Sequence, residues 1–356
     1  MAKTKFALVL SGGGAKGAWE AGFLKYVTEN WGHKFSIVTG SSIGALNGMM
    51  YCASAQDEKN LSKKIVEPWN KISFTQAVGI PFCDYLKGNI YSLLDNGPLI
   101  KFVDENFNAK QYRSNIDNGV VETHVVTTTN LNSRKPYVWI DTKNKKNYDS
   151  VNWVSKKTNI TAEHCVASGA IPLAFKPRNL EGDWHVDGSV CNNTPILPAI
   201  MSFYNDTNGS TSPSKLDPKT KILVVTQPDP DSVSTTWKKS PNIIVSASRI
   251  ADSIFVNHLL QDIAKANIIN DFLNSMKVES YGKYRKIDML VARPTSSLDA
   301  PAIDAAADLG LGFLPDNISA SLSFMFIVQP YIQRLLKLGY DEAKSMHSQL
   351  EEFFKE

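Results

Sequence analysis

Gly40-Ser41-Ser42-Ile43-Gly44 follows a short apolar run, Phe35-Ser36-Ile37-Val38-Thr39, and precedes Ala45-Leu46-Asn47-Gly48-Met49-Met50, which suits a helix. Strand, then G-x-S-x-G, then helix is the context of a nucleophile elbow, in which the serine sits on a sharp turn above the sheet edge. Glycines on either side let the helix pack close and leave the serine hydroxyl exposed. The helix N-terminus behind the serine offers N–H groups and a positive dipole end to a developing oxyanion. A tight Gly/Ser turn without chemistry fits the same five residues, so the rest of the chain has to decide.

Working outward, residues 5–10 read as a buried strand stopped by glycines. Ser11-Gly12-Gly13-Gly14-Ala15-Lys16-Gly17 follows, and then Ala18, Trp19, Gly22, Phe23, Tyr26 and Val27 recur at helical spacing. Strand, loop, helix, strand is a βαβ opening and predicts a parallel sheet. Three readings compete for the loop. Gly12, Gly14 and Gly17 satisfy G-x-G-x-x-G, but the dinucleotide fold needs an acidic residue about 20 positions on, and no Asp or Glu lies between Glu29 and Asp57. A Walker loop needs Lys then Ser or Thr after the last glycine, and Gly17 is followed by Ala18 and Trp19. What fits is a nest of backbone donors at a helix start, which one strand away from a serine elbow is an oxyanion hole.

Residues 54–119 mix a helical stretch (61–69) with the breakers Pro81, Gly88 and Gly97-Pro98, and a short helix starts at Pro98. The segment reads as a helical insertion near the site, either a lid or a plain connection. Residues 123–129 and 137–140 are β-branched and aromatic, hence neighbouring strands. Lys143, Lys145, Lys146, Lys156 and Lys157 form a loose basic surface, ordinarily a solvated face. A helix is expected over 159–168, ended at Gly169. Trp184-His185-Val186 then delivers Asp187 into the turn Gly188-Ser189, although an Asp-Gly turn occurs in many proteins without chemistry. Beyond it come a helix (195–204), a polar loop (205–220), a buried strand (221–226), long helical periodicity (242–278), a last strand (287–292) and helices over 318–337 and 340–355.

A chain of 356 residues, 43% hydrophobic and 21% charged, has ample material for a core. Its net charge of +3 does not argue for nucleic acid, and no Arg-rich, aromatic-interleaved patch occurs. Cys52, Cys83, Cys165 and Cys191 are widely spread without a C-x-x-C pair, so free thiols and a reducing compartment are expected. The apolar run Phe6 to Leu10 is too short for a signal peptide. Residues 317–333 carry no charge but are below transmembrane length, and read as a buried helix pair.

Taken together, four pieces resemble the patatin-like phospholipase family in its bacterial type. They are Gly12-Gly13-Gly14-Ala15-Lys16-Gly17, Gly40-Ser41-Ser42-Ile43-Gly44, Ala167-Ser168-Gly169-Ala170-Ile171-Pro172, and Asp187-Gly188-Ser189 with Asn192 and Pro195. Order and spacing agree over residues 5 to about 200, and Leu338-Gly339-Tyr340-Asp341-Glu342-Ala343 adds a faint likeness to the family's C-terminal helix. Ser189 departs from the usual Gly or Ala, with little effect expected. The resemblance implies a three-layer α/β/α fold with a central, mostly parallel sheet, a helical insertion and a helical C-terminal region. Residues 1–210 would be the catalytic core with its insertion at 54–119, and 211–356 the remainder of the same domain plus C-terminal helices.

The same resemblance implies a serine lipid acyl hydrolase of the phospholipase A or lysophospholipase type. Ser42 would be the nucleophile and Asp187 its base, a dyad without histidine. Gly12, Gly13 and Gly14 would form the oxyanion hole, supported by Lys16, Gly17, Gly40, Gly44 and Gly188. No cofactor, metal, nucleotide or nucleic acid is implied. The substrate would be phospholipid or lysophospholipid at a membrane surface, and the location cytoplasmic and peripheral at membranes, with export lacking a cleaved signal left open. An aspartate serving alone as base needs partial desolvation. The rival Ser-His-Asp triad places its histidine after the acid, which leaves His258 and His347, both in helical periodicity. His185 shares a strand face with Asp187, where a structural role or tuning of the carboxylate is open. A soluble esterase or thioesterase, an acyltransferase and a silent lipid-binding protein are the other readings.

Overall fold

Strand β1 (Lys5–Leu10) is buried on both faces, and its alternating side chains enter two separate cores. Phe6, Leu8 and Leu10 point to one side, where they meet helices α1 (Gly17–Trp31) and α2 (Ile43–Ser54). Ala7 and Val9 point to the other, against Ile37, Ile222 and Val224 and against Ile196 and Leu259 from two further helices. That two-sided burial is why β1 reads as an unbroken apolar run. This computed structural model describes residues 4–89, 91–144, 148, 150–203, 220–227, 240, 243–278, 280–281, 284–308 and 323–355.

The sheet continues with β2 (Phe35–Ser41), β3 (Thr123–Asn130), β4 (Lys135–Thr142) and β5 (Val154–Lys157). After β6 (Arg178–Leu180) and β7 (Asp183–Asp187), the C-terminal part adds β8 (Thr220–Val225), the small pair β9 (Ser280–Tyr281) and β10 (Tyr284–Arg285), and β11 (Asp288–Ala292). The order is β11-β8-β1-β2-β3-β4-β5. Pairs from β11 to β3 are parallel, as is β4 with β5, while β3 and β4 form an antiparallel hairpin. β7 lies off this path, antiparallel to the end of β3, with Asp187 opposite Thr128. The result is a mostly parallel sheet between helical layers, with a helical C-terminal region.

Residues 54–119 fold into α3 (Leu61–Lys71), α4 (Phe74–Ala77), α5 (Phe82–Leu86), α6 (Gly97–Asn106) and α7 (Ala109–Asp117). The helix expected from residue 159 is α8 (Ala162–Ser168): Thr161 caps it in a reciprocal arrangement with His164, while the Ile160 N–H is held instead by the buried Asp141 Oδ2. Asp187 leads directly into the short helix α9 (Ser189–Asn192) rather than an open turn, and α10 (Ile196–Phe203) and α11 (Ile243–Ser275) follow. No described helix is long and apolar enough to cross a membrane.

After α12 (Ala300–Asp308), the C-terminal helices are α13 (Gln329–Ser345) and α14 (His347–Phe354). The expected break at residues 338–339 is absent; the break falls at Met346. Gly339 stays inside α13 because it crosses α1 there: a Cβ on Gly339 would lie 1.9 Å from the Trp19 carbonyl oxygen. The described part of the uncharged stretch 317–333 is a 3-10 turn (Ser323–Met325), an extended link and the start of α13, rather than a helix pair. Residues 205–219 and 309–322 lie outside the described residues. Because the obstacle at Gly339 is backbone, Gly339→Ala is expected to cost about 1–3 kcal/mol in urea unfolding. Lys344→Ala, exposed on the same helix, should stay within about 0.5 kcal/mol.

Candidate active site

The β2-to-α2 junction holds Ser42 at φ 53°, ψ −123°, a conformation that L side chains rarely adopt. Two close approaches enforce it. A Cβ on Gly40 would meet the Gly44 carbonyl oxygen at 2.4 Å, and one on Gly44 would meet the Leu10 carbonyl oxygen at 2.5 Å. Only glycine lets α2 start this near to β1 and β2. The Ser42 hydroxyl donates to Asp187 Oδ2 at 2.8 Å, with both residues buried.

Residues 168–170 fix that bond from behind. Ser168 Oγ accepts the Ser42 N–H at 2.8 Å and donates to the Thr127 carbonyl at 2.6 Å. The Ser168 carbonyl accepts the Gly188 N–H at 3.0 Å, and the Ala170 carbonyl accepts the Asp187 N–H at 2.9 Å. Thr129 Oγ1 donates to the Asp187 carbonyl at 2.9 Å. The proline-ended helix of the third motif is thus a clamp between the serine turn and the aspartate strand.

Burial pushes the Asp187 carboxyl up from 3.8 to about 6, against the pull of hydrogen bonds from the Ser189 N–H and the side chains of Ser42 and Ser189. Proton affinity of this order suits a general base near neutral pH. Among the described residues no histidine hydrogen-bonds Ser42 or Asp187; His33 bonds Tyr51 and His124 bonds Tyr112. His185 bonds Thr128 Oγ1 at 2.9 Å and packs against Tyr137 and Trp139. His347 bonds Tyr26, His164 caps α8, and His258 lies on α11.

The glycine loop is divided in its use. The Gly12 N–H, expected among three donors, is already taken by Asn193, at 3.1 Å to Oδ1 and 3.2 Å to its carbonyl. Among the described residues no hydrogen bond occupies the Gly13 or Gly14 N–H, and Gly14 (φ 58°) and Ser42 border the same cavity. Lys16 points away from that cavity's chemistry and pairs with Asp299 at 2.8 Å, tying the loop to the C-terminal part. Gly17 admits Ile43, and Gly188 lies against Thr127.

The cavity leading from Ser42 is almost wholly apolar. Ile65 and Trp69 of α3, Leu99 and Phe102 of α6, and Phe175 and Ile327 are among its walls. Asn47, one of its few polar residues, is internally bonded: Nδ2 donates to Glu20 Oε2 at 2.6 Å and Oδ1 accepts from Trp69 Nε1 at 2.9 Å. Glu20 is fully buried, accepts the Ser11 N–H at 3.2 Å, and is pushed up by desolvation. It joins the loop's entry to α2 and the cavity wall, and sequence reasoning passed over it. The one available signal was an acid inside the otherwise apolar stretch 18–24. Among the described residues no group of three His, Cys, Asp or Glu side chains could hold a metal ion.

Compared with known proteins, residues 8–200 match the description "Patatin-like phospholipase", more than half of the chain. The chain belongs to the patatin-like phospholipase family. Membership supports a lipid ester hydrolase. No curated relative matches it. Among solved structures, VipD from Legionella pneumophila is 14% identical at TM-score 0.34, with 90% of this chain and 66% of VipD covered. ExoU, in its complex with SpcU from the type III secretion system of Pseudomonas aeruginosa, is 15% identical at TM-score 0.29, with 99% and 72% covered. The chain therefore spans just under two thirds of VipD, and likeness of this order adds nothing to the family assignment.

Against the patatin-like motif, Ser189 is not the neutral departure that its position after Asp-Gly leads one to expect. Its N–H donates to Asp187 Oδ1 at 2.7 Å, and its hydroxyl also bonds the carboxylate. Ser189→Ala removes one donor to the charged form, so the acid limb of kcat/KM should move to higher pH.

The raised affinity also fixes a stability effect. Between 3.8 and about 6 the folded protein keeps a proton that the unfolded chain has lost, so stability falls as pH rises through that window. Above it the cost is complete, on the order of 2–3 kcal/mol. Asp187→Asn should therefore stabilise the protein toward urea at pH 8, with most of the gain gone at pH 4.

Proposed function

We propose that this protein is a serine lipid acyl hydrolase of the phospholipase A or lysophospholipase type, working through an acyl-Ser42 intermediate with Asp187 as sole base. The observation that carries the reading is the 2.8 Å bond from the Ser42 hydroxyl to a buried carboxylate at the head of an apolar cavity. As Ser42 Oγ attacks the ester carbonyl carbon, its proton passes to Asp187. The carbonyl oxygen becomes an oxyanion facing the Gly13 and Gly14 N–H groups, donors worth roughly 3 kcal/mol each. Collapse breaks the ester C–O bond, and Asp187 returns the proton to the departing alcohol oxygen. Water then attacks the acyl-serine, again giving a proton to Asp187; the acyl C–Oγ bond breaks, Asp187 passes that proton to Ser42 Oγ, and the fatty acid leaves.

The apolar cavity favours a long acyl chain over a small acyl group, and hence lipid at a membrane or aggregate surface as substrate. Supporting this is its almost wholly apolar lining, in which Asn47 is internally bonded and Asn96 Oδ1 is a free acceptor among the described residues. The test is a panel of phospholipids, lysophospholipids, galactolipids and neutral glycerides, assayed with wild type beside Ser42→Ala. Hydrolysis of at least one class that vanishes in Ser42→Ala supports the proposal, and inertness toward all of them counts against it. An added alcohol acceptor separates hydrolysis from acyl transfer by its product.

Loss of the base should match loss of the nucleophile, roughly a thousandfold or more, because no imidazole stands behind Asp187. His164→Ala, His185→Ala, His258→Ala and His347→Ala should each keep activity within about tenfold. A folded histidine variant with no activity would sink the dyad.

A further inference from the structure

Three passes of the chain line the cavity and then surface beside it. Val78, Asn96 and the pair Ile171 and Phe175 are in the cavity wall. Two or three positions from them, Ile80, Leu93 and Leu173 face outward, and with Phe82 and Leu86 of α5 these five side chains are 64–83% exposed. The passes are joined into one body. Gly79 and Asp95 exchange backbone bonds at 2.7 and 2.9 Å, and the Leu93 N–H donates to the Leu173 carbonyl at 3.0 Å. The Tyr85 hydroxyl reaches the carbonyls of Ser92 and Leu93, both at 2.9 Å. Lys176 bridges Asp84 at 2.9 Å and lies over the Tyr91 ring.

We infer that this knob, residues 80–89 and 91–93 with Leu173, is a docking surface for an electrically neutral lipid surface, and that it sets the cavity beside the acyl chains that must enter. The inference rests on the acyl-hydrolase reading for its purpose but not for its measurement. Three features favour a lipid surface over a second copy or a polar partner. The first is continuity: the same short stretches alternate between the acyl cavity and the exposed crest. The second is that the backbone N–H groups of Phe82, Asp84, Tyr85, Lys87, Gly88 and Asn89 are bonded to carbonyls of residues 80–85, which lowers the cost of leaving water. The third is charge: Asp84 is matched by Lys176, and Tyr85, Tyr91 and Lys87 have the amphipathic form that sits at a lipid–water boundary. Leu173 adds a bulky residue held at φ 68° with its side chain in water, a disfavoured backbone that keeps the apolar group exposed.

The experiment uses the full chain carrying Ser42→Ala, so that vesicles stay intact, and measures sedimentation with phosphatidylcholine vesicles. Leu86→Asp and Leu173→Asp should each weaken binding about tenfold, the scale of one large apolar side chain entering lipid. Leu86→Trp should keep or strengthen it, and 0.5 M NaCl should leave it unchanged. In the Ser42 protein the same aspartate substitutions should lower hydrolysis of vesicles while turnover of a short soluble ester stays within twofold, which also reports a sound fold. Aspartate tolerates the left-handed backbone at position 173 better than leucine, so that variant folds without added strain. Unchanged vesicle binding in both aspartate variants would overturn the inference. So would binding that requires anionic lipid and is lost in salt, or variants that only dissolve a dimer. Absence of hydrolysis on every ester with binding intact would sink the enzymatic reading and leave the docking surface standing.

Discussion

One hydrogen bond, from the Ser42 hydroxyl to Asp187, is what the surrounding structure is arranged to hold. Its two ends are 145 positions apart in sequence. They come from a parallel strand turned sharply into a helix and from an antiparallel strand laid along the end of β3. Each end is held in a state that the chain would not adopt unaided. The serine occupies a disfavoured backbone conformation, and the carboxylate is deprived of water. Both costs are local, and in the proposed mechanism both serve the reaction: the turn sets the buried hydroxyl at the cavity, and the desolvated carboxylate gains the basicity to take its proton. The clamp through Ser168, Ala170 and Thr129 supplies the rigidity against which that strain is held.

Much of this was legible in residue order, and the parts that were not share a physical cause. Apolar runs located β1, β2, β8 and β11, β-branched residues located β3, and glycine spacing located the elbow, because these features depend on neighbours a few positions apart. The occupied Gly12 N–H depends on Asn193, 181 positions away, and no local pattern signals it. Glu20 resembles a solvent-facing acid on an amphipathic helix until Ser11 and Asn47 converge on it. Gly339 looks like a helix break, yet it is the point where α13 touches α1 backbone to backbone. Ser189 looks neutral after Asp-Gly because its hydroxyl's partner is set by the turn and not by the spacing.

The insertion joins the two scales of the molecule. Its inward residues, with Ile171, Phe175 and the C-terminal Ile327, give the serine an apolar cavity, and its outward residues give the cavity an apolar rim. A patch of this kind costs solubility unless something covers it. The Glu20–Asn47–Trp69 chain of bonds runs from the glycine loop to the cavity wall, so the loop and the wall are positioned by the same buried polar group. In the proposed function, chemistry, chain binding and surface contact are built on adjacent pieces of one core.

The central claim is that the Asp187 carboxylate alone draws the proton from Ser42. Its most direct test is the rate at which a fluorophosphonate labels Ser42, followed as a function of pH, since this isolates activation of the nucleophile from lipid binding and product release. The account predicts a rate that falls as pH drops through one ionisation at about 6, the value to which burial raises Asp187, with that limb and nearly all labelling lost in Asp187→Asn. Labelling of Asp187→Asn at the wild-type rate, or a limb that disappears instead with a histidine substitution, would contradict it.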